Sequence, residues 1–339
     1  MARGSDRYLR QELLAELGSA GQERLAAARV LVAGCGALGT NQAQLLARAG
    51  VGYLRIVDRD VVELSNLHRQ VLFLEEDVAG QLPKAVAAAR RLAAANSEVR
   101  VEPVVADIGQ HTVESLLSGC DLVLDATDNL ETRYLINDAC VKHRVPWVYG
   151  GAIGVQGTVM VVRPGEGPCL RCLLPTPPGP GMLPTCDQLG VLNTAPALVA
   201  ALQVTEAVKL LAGSPALEGV LSVDLWKSEF HRMGLKRDPS CPCCGKGTYA
   251  FLTGALGSDT VRMCGRDAVQ VMPSAAGQVD LPALAARLSP HGTVENTGHF
   301  LKLVAGPHTL VVFPDGRVMV RGTTDEALAR SLVARYVGA

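Results

Sequence analysis

Six residues, GCGALG, set Gly34, Gly36 and Gly39 between the apolar run RVLVAG and the run LGTNQAQLLARAG. A short strand entering a glycine turn that opens a helix is a tightly constrained unit. Glycine lets the backbone turn sharply and come close to a ligand, and the unpaired N–H groups at the helix start favour an anion. The same alternation continues along the N-terminal half. YLRIVD, VRVEPVVA, DLVLDATD and PWVYGG read as strands; PKAVAAARRLAAAN, HTVESLLSG and NLETRYLINDACVKH read as the helices between them. Residues 5–28 read as helical, with Ser19 and Gln22 spaced as a capping box before ERLAAA.

The predicted fold class is therefore α/β, a Rossmann-like, doubly wound and mainly parallel sheet with helices on both faces. After residue 150 the pattern changes to VQGTVMVVRP and GVLSVDLWKSEFHRMGL, which alternate as antiparallel strands extending that sheet. Between them, PTPPGPGMLPTC is too rich in Pro and Gly for helix or sheet and reads as a loop, of the length that is more often functional than a mere crossover. The longest apolar stretch, APALVAALQVTEAVKLLAG, contains Glu206 and Lys209 and reads as a buried helix rather than a membrane span. Two domains are expected, 1–249 and 250–339. The second is a small accessory α/β module with helices near LPALAARL and DEALARSLVARY and a hairpin turn at FPDGR.

A chain of 339 residues, 48% hydrophobic and 19% charged, supplies a large core, but its net charge of −1 gives no general attraction to nucleic acid or acidic membrane. Neither is expected as a partner, and an anionic ligand has to be held by a few placed cations. MARGSDRYLRQ has no apolar core after its basic start, so a cytoplasmic location is expected.

Placed cations are present. Asp58 ends the second strand, where a carboxylate can accept from ribose hydroxyls, and Asp60, Asn66 and Arg69 follow in DRDVVELSNLHRQVLF. Lys84 opens the next long helix in GQLPKA, and Asp128 closes the fourth strand in DATDN. Strand ends of a doubly wound sheet converge on one crevice. The glycine turn with Asp58 alone fits NAD(P) and an oxidoreductase. Each added charge alone fits a solvated surface. Together they suit a triphosphate with Mg²⁺, hence ATP. His68 is expected to be incidental. Cys169 and Cys172, then Cys241 and Cys244, form two Cys-x-x-Cys pairs whose four thiolates suit a closed structural zinc site; a dithiol or disulfide is the alternative. Cys243 lies inside the second pair as a competing ligand. Cys35, Cys120 and Cys140 read as core or helix positions.

RYLRQ, GCGALG, DRDVVELSNLHRQ, PKA and DATDN, followed by the two cysteine pairs, together resemble the ThiF/MoeB family, from about residue 7 to 247. These are adenylyltransferases related to ubiquitin-activating enzymes. The resemblance implies ATP- and Mg²⁺-dependent adenylation of the C-terminal glycine of a ubiquitin-fold sulfur carrier ending in Gly-Gly. Gly34, Gly36 and Gly39 would then line the phosphates, Asp58 and Asp60 the nucleotide site. Asn66, Arg69 and Lys84 would neutralise the triphosphate, and Asp128 would place Mg²⁺. Arg10 corresponds to a residue donated across a homodimer. Cys186 aligns with a cysteine that some relatives link covalently to the carrier. A sulfurtransferase or cysteine desulfurase is a further partner that the resemblance admits. DVAGQLPKA is about two residues longer than the family's segment, which puts the placement of Lys84 in question. Residues 250–339 are not the rhodanese of larger relatives. The alternatives are adenylation of a peptide or tRNA-linked carboxylate by the same site, an NAD(P) oxidoreductase, and a non-catalytic scaffold for a ubiquitin-like protein.

Overall fold

Alternating side chains on single strands divide the interior of the first unit into two cores. β1 (Arg29–Ala33) sends Val30 and Val32 into one and Leu31 and Ala33 into the other. β4 (Leu122–Asp125) and β5 (Trp147–Ile153) alternate likewise, with Leu122, Leu124 and Val148 on one side and Val123, Trp147 and Tyr149 on the other. A sheet apolar on both faces needs helices on both faces. The computed structural model describes residues 6–177, 189–256, 260–262, 268–271 and 279–337.

The eight-stranded sheet runs β3-β2-β1-β4-β5-β6-β7-β8, where β2 is Tyr53–Val57, β3 Arg100–Val104, β6 Gln156–Val162, β7 Val220–Asp224 and β8 Glu229–Met233. β3 through β5 pair in parallel, and β5 through β8 pair antiparallel. Gly154, with φ of 58°, makes the tight turn between β5 and β6. Helices Ala37–Ala49, Lys84–Ala95 and Thr194–Ala212 contribute to the first core, and Val113–Leu117 with Leu130–His143 to the second.

The N-terminal segment departs from expectation. Instead of one helix over residues 5–28 there are two, Leu9–Glu12 and Gly18–Ala27, broken at Gly18, whose φ is 62°. Ser19 lies inside the second helix and makes no cap. Gln22 is buried and donates from Nε2 to the Ala49 carbonyl at 2.9 Å, so it caps the end of a different helix. Gln11 joins it, donating to Ala49 O at 3.0 Å.

Helix Thr194–Ala212 is long and apolar enough to cross a membrane by length and composition, yet it packs against β5, β6 and helix Ala37–Ala49. Its Gln203 is one of the groups that fasten it there. Fully buried, Gln203 donates to Asp125 O at 2.9 Å and Val148 O at 3.0 Å and accepts from Gln42 Nε2 at 2.6 Å. The amide supplies partners to carbonyls where β4 gives way to its loop and where β5 lies beside it.

The chain divides into Met1–Ala255 and Leu256–Ala339, so the break comes after the expected residue 249. Phe251 stacks on Tyr134 with centroids 4.8 Å apart, and its N–H donates to Asp138 Oδ2 at 3.0 Å, which fastens this stretch to the first unit. The second unit is a six-stranded antiparallel sheet, β11-β12-β13-β14-β10-β9, with β9 Thr260–Arg262, β10 Ala268–Val271, β11 Thr293–Asn296, β12 Leu301–Ala305, β13 His308–Val312 and β14 Val318–Arg321. Helices Leu281–Leu288 and Glu326–Tyr336 pack Leu284, Leu288, Ala329 and Val333 with Leu303, Leu310 and Val320. Each helix is capped by an aspartate: Asp280 accepts from Ala283 N at 3.0 Å and Asp325 from Ala327 N at 2.8 Å. At FPDGR the chain reverses through Gly316 at φ 85°, with Phe313 N–H donating to Arg317 O at 2.9 Å.

Gln203→Leu removes the buried amide while keeping the volume, leaving Val148 O without that donor. A loss of about 1–3 kcal/mol in unfolding free energy is expected from chemical denaturation. Unchanged stability would show that the amide contributes nothing to holding β4 and β5.

Candidate active site and metal centre

The glycine turn owes its shape to close backbone approach. Gly34 has φ of 100°, and a Cβ there would lie 2.6 Å from the Ala126 carbonyl oxygen. A Cβ on Gly39 would overlap the Gly34 carbonyl, so this glycine lets the first helical turn rest on the strand end. Gly36 differs: a Cβ there would meet only Gln70 Nε2, at 3.8 Å, so its outer face is open. Gly36 is also the N-cap of helix Ala37–Ala49 and offers no side-chain cap. The helix start therefore keeps its N–H groups for an anion in front of Gly36.

Asp58 anchors this turn. Its Oδ2 accepts from Cys35 N at 2.6 Å and its Oδ1 from Asp60 N at 2.7 Å. Burial raises its carboxyl above the usual range, and the Lys84 charge opposes that rise. Lys84, nearly buried, places Nζ 3.1 Å from Asp60 Oδ2, while its backbone N–H donates to Asp60 O at 2.9 Å. The longer segment before it is absorbed locally. Helix Glu75–Ala79 ends at Gly80, Gln81 takes φ 48°, and Val62 N–H then pairs with Leu82 O at 2.9 Å. That pairing returns Pro83 and Lys84 to the strand end.

Two residues not singled out in the sequence belong to this neighbourhood. Arg59 Nη1 pairs with Asp107 Oδ1 at 2.9 Å. Burial works against its charge, but Asp107, Asp60, Asp128 and Asp58 outweigh it and hold the guanidinium firmly cationic. The alternation of strands puts the ends of β2 and β3 side by side, which was the available signal for this pair. Asp128 lies further out than expected. β4 ends at Asp125, a buried carboxylate paired with Arg133 Nε at 3.1 Å, and Asp128 is exposed three residues later. Burial raises Asp125 above the ordinary carboxylate range, with Arg133 acting against it.

Asn66 is buried, and its Oδ1 accepts from Glu63 N at 3.1 Å, so it closes the turn that carries Arg69. Arg69 donates from Nη1 to Ser65 O at 2.8 Å and is half exposed; the next residue, Gln70, lies against Gly36. His68 is exposed and touches Ser65 O at 3.1 Å. Arg10 lies exposed on helix Leu9–Glu12, beside exposed Leu9, Leu13 and Leu14. Cys186 and most of its Pro-rich loop lie outside the described residues.

The cysteine pairs do converge. The sulfurs of Cys169, Cys172, Cys241 and Cys244 all lie within 4.8 Å of one another, with Cys169–Cys241 at 3.7 Å and Cys172–Cys244 at 3.4 Å. Zn–S bonds of about 2.3 Å in a tetrahedron imply sulfur separations of about 3.8 Å. The four donors thus fit such an ion. Hydrogen bonding from Cys243 first, against burial, and then from Cys244 and Cys241, lowers the Cys169 thiol to about 4.

The ThiF family profile matches residues 8–243, and the chain belongs to the ThiF family. It is 42% identical over 336 residues to the sulfur carrier protein ThiS adenylyltransferase of Bacillus subtilis, covering 98% of this chain and 99% of that one. The sulfur carrier protein adenylyltransferase of Thermus thermophilus is 45% identical over 71% of this chain and 90% of its own length. Among solved structures, E. coli MccB with ATP matches with a TM-score of 0.62 at 24% identity, covering 71% of this chain and 75% of that one. That likeness concerns the fold.

Gly39→Ala forces the helix start away from Gly34. It is expected to cost about 1–3 kcal/mol of stability and to weaken nucleotide binding at least about tenfold, read by denaturation and titration calorimetry. Wild-type values for both would remove the close approach from the account.

Proposed function

We propose that this chain uses ATP and Mg²⁺ to adenylate the C-terminal glycine of a ubiquitin-fold sulfur carrier of the ThiS type. The observation that carries the reading is the 42% identity to a ThiS adenylyltransferase across 98% of the chain, both units included. The helix start at Gly36, open and without a side-chain cap, supports it physically.

The chemistry suits these residues. A carboxylate is a poor acyl donor, because its leaving group would be oxide. Attack of the carrier carboxylate oxygen on the α-phosphorus forms an O–P bond as the bond to pyrophosphate breaks, leaving a mixed anhydride. No general base is needed, since the nucleophile is already ionised. Bringing two anions together needs cations instead. Lys84, fixed by Asp60, and Arg69, on the turn closed by Asn66, are the cations assigned to the phosphates. Asp58, with both oxygens already accepting backbone N–H groups, keeps a second acceptor position on each for ribose. Asp128 is the carboxylate assigned to Mg²⁺, which would draw charge from the phosphate oxygens when bound. The four cysteines would hold zinc as a structural ion.

Arg10 is assigned to the neighbouring protomer's site in a homodimer, and the exposed Leu9, Leu13 and Leu14 around it supply an apolar surface for such a contact.

Carrier-dependent exchange of labelled pyrophosphate into ATP tests the reading. Arg69→Ala is expected to lower exchange by about 10²–10³, and a carrier lacking its last glycine to abolish it. Exchange that ignores the carrier would defeat the proposal. Mixing inactive Arg10→Ala and Arg69→Ala chains is expected to restore about a quarter of wild-type activity, since half the dimers are mixed and each has one intact site. No recovery would leave Arg10 acting within its own chain or not at all.

A further inference from the structure

The metal ligands come from two segments 72 residues apart, and one buried side chain touches both. Asn137, in the middle of helix Leu130–His143, is fully buried. Its Oδ1 accepts from the N–H of Leu170, the residue after Cys169, at 2.9 Å. Its Nδ2 donates to the sulfur of Cys243, between Cys241 and Cys244, at 3.2 Å. The Leu170 N–H can only donate, so it fixes which end of the amide is which. The following residue, Asp138, holds the chain that leaves the second knuckle, accepting from Phe251 N at 3.0 Å. Each cysteine knuckle has its own internal bonds, Cys172 N to Cys169 O at 2.9 Å and Gly245 N to Cys241 O at 3.0 Å. None of those internal bonds sets the distance from one knuckle to the other; apart from the contacts among the cysteine sulfurs themselves, the Asn137 amide spans that gap.

Resting on the reading of the four cysteines as a metal centre, we propose that Asn137 is its positioning residue, holding the two knuckles at ligand spacing and so governing how long the ion is retained. Cys243 then acts as the anchor through which Asn137 grips the second knuckle, rather than as a competing ligand. Groups that orient metal ligands typically change affinity by about 10- to 100-fold when removed.

The test uses the full chain loaded with zinc, with release followed by a chromogenic chelator. Asn137→Ala is expected to release zinc about 10- to 100-fold faster than wild type. Asn137→Asp, which keeps the acceptor for Leu170 but not the donor to Cys243, is expected to fall between them. Cys140→Ala is the control for general loosening. Its buried side chain lies on the same helix and makes no hydrogen bond among the described residues. Release from Asn137→Ala at the wild-type rate overturns the proposal, as does equal acceleration by Cys140→Ala. If Asn137→Ala does not fold, Cys243→Ala carries the test. It is expected to release zinc faster while cobalt substitution keeps the charge-transfer bands of a four-thiolate site; unchanged release, or loss of those bands, overturns the proposal. Wild-type protein without zinc by elemental analysis would instead sink the metal reading on which this rests.

Discussion

The 2.6 Å hydrogen bond from Cys35 N–H to Asp58 Oδ2 ties the glycine turn to the end of β2, and the rest of the crevice is arranged around it. The other oxygen of Asp58 holds Asp60 N–H, which orients Asp60 towards Lys84. Lys84 in turn returns its backbone N–H to Asp60 O. One carboxylate thus sets the turn, a second acid and a cation in sequence. Burial raises the proton affinity of Asp58, and the nearby ammonium offsets part of that cost. The cation that a polyphosphate would need is therefore already held by the protein's own partly buried acids.

Beneath this surface the support is polar as well as apolar. Gln42 and Gln203 both donate to Asp125 O at 2.9 Å and hydrogen-bond each other. Asp125 itself receives Thr127 Oγ1 at 2.7 Å and pairs with Arg133. The end of β4 is thereby held from its carbonyl and from its side chain. A loop held at its root can carry an exposed Asp128 to a defined place without any direct bond to that carboxylate. Buried amides of this kind are costly if left unmatched, and here the donor nitrogens of both end on oxygens at the end of β4, on β5 or on each other.

Local signals were readable in the chain, and non-local ones were not. The glycine turn, the strand–helix alternation and the FPDGR reversal each depend on a few adjacent residues, and they lie where the pattern placed them. Ser19 and Gln22 matched a capping pattern, yet the positive φ of Gly18 moved the helix start and Tyr8, Gln11 and Gln22 gathered at Gly50 instead. Arg59 and Asp107 are 48 residues apart, and only the parallel pairing of β2 with β3 makes them neighbours. The last strand residue in DATDN is Asp125, and its partner Arg133 lies eight positions on and carries no local mark. The length of DVAGQLPKA was legible, but its accommodation by a left-handed Gln81 was a matter of backbone geometry.

Helix Leu130–His143 connects the two sites. It starts at Asn129, whose side chain caps Thr132 N at 2.8 Å directly after Asp128. One turn in, Arg133 pairs with Asp125 and donates to Thr127 O at 2.7 Å and Gly150 O at 3.0 Å. One turn further, Asn137 and Asp138 face the cysteine knuckles and the chain beyond them. The spacing of four between Arg133 and Asn137 places both on one side of the helix. A rigid rod of this length transmits position rather than charge. It locates the knuckles relative to the β4 loop, and the same packing locates that loop relative to the knuckles. The four-cysteine cluster therefore belongs to the framework that holds the crevice, even though none of its sulfurs lies on the strand ends that form it.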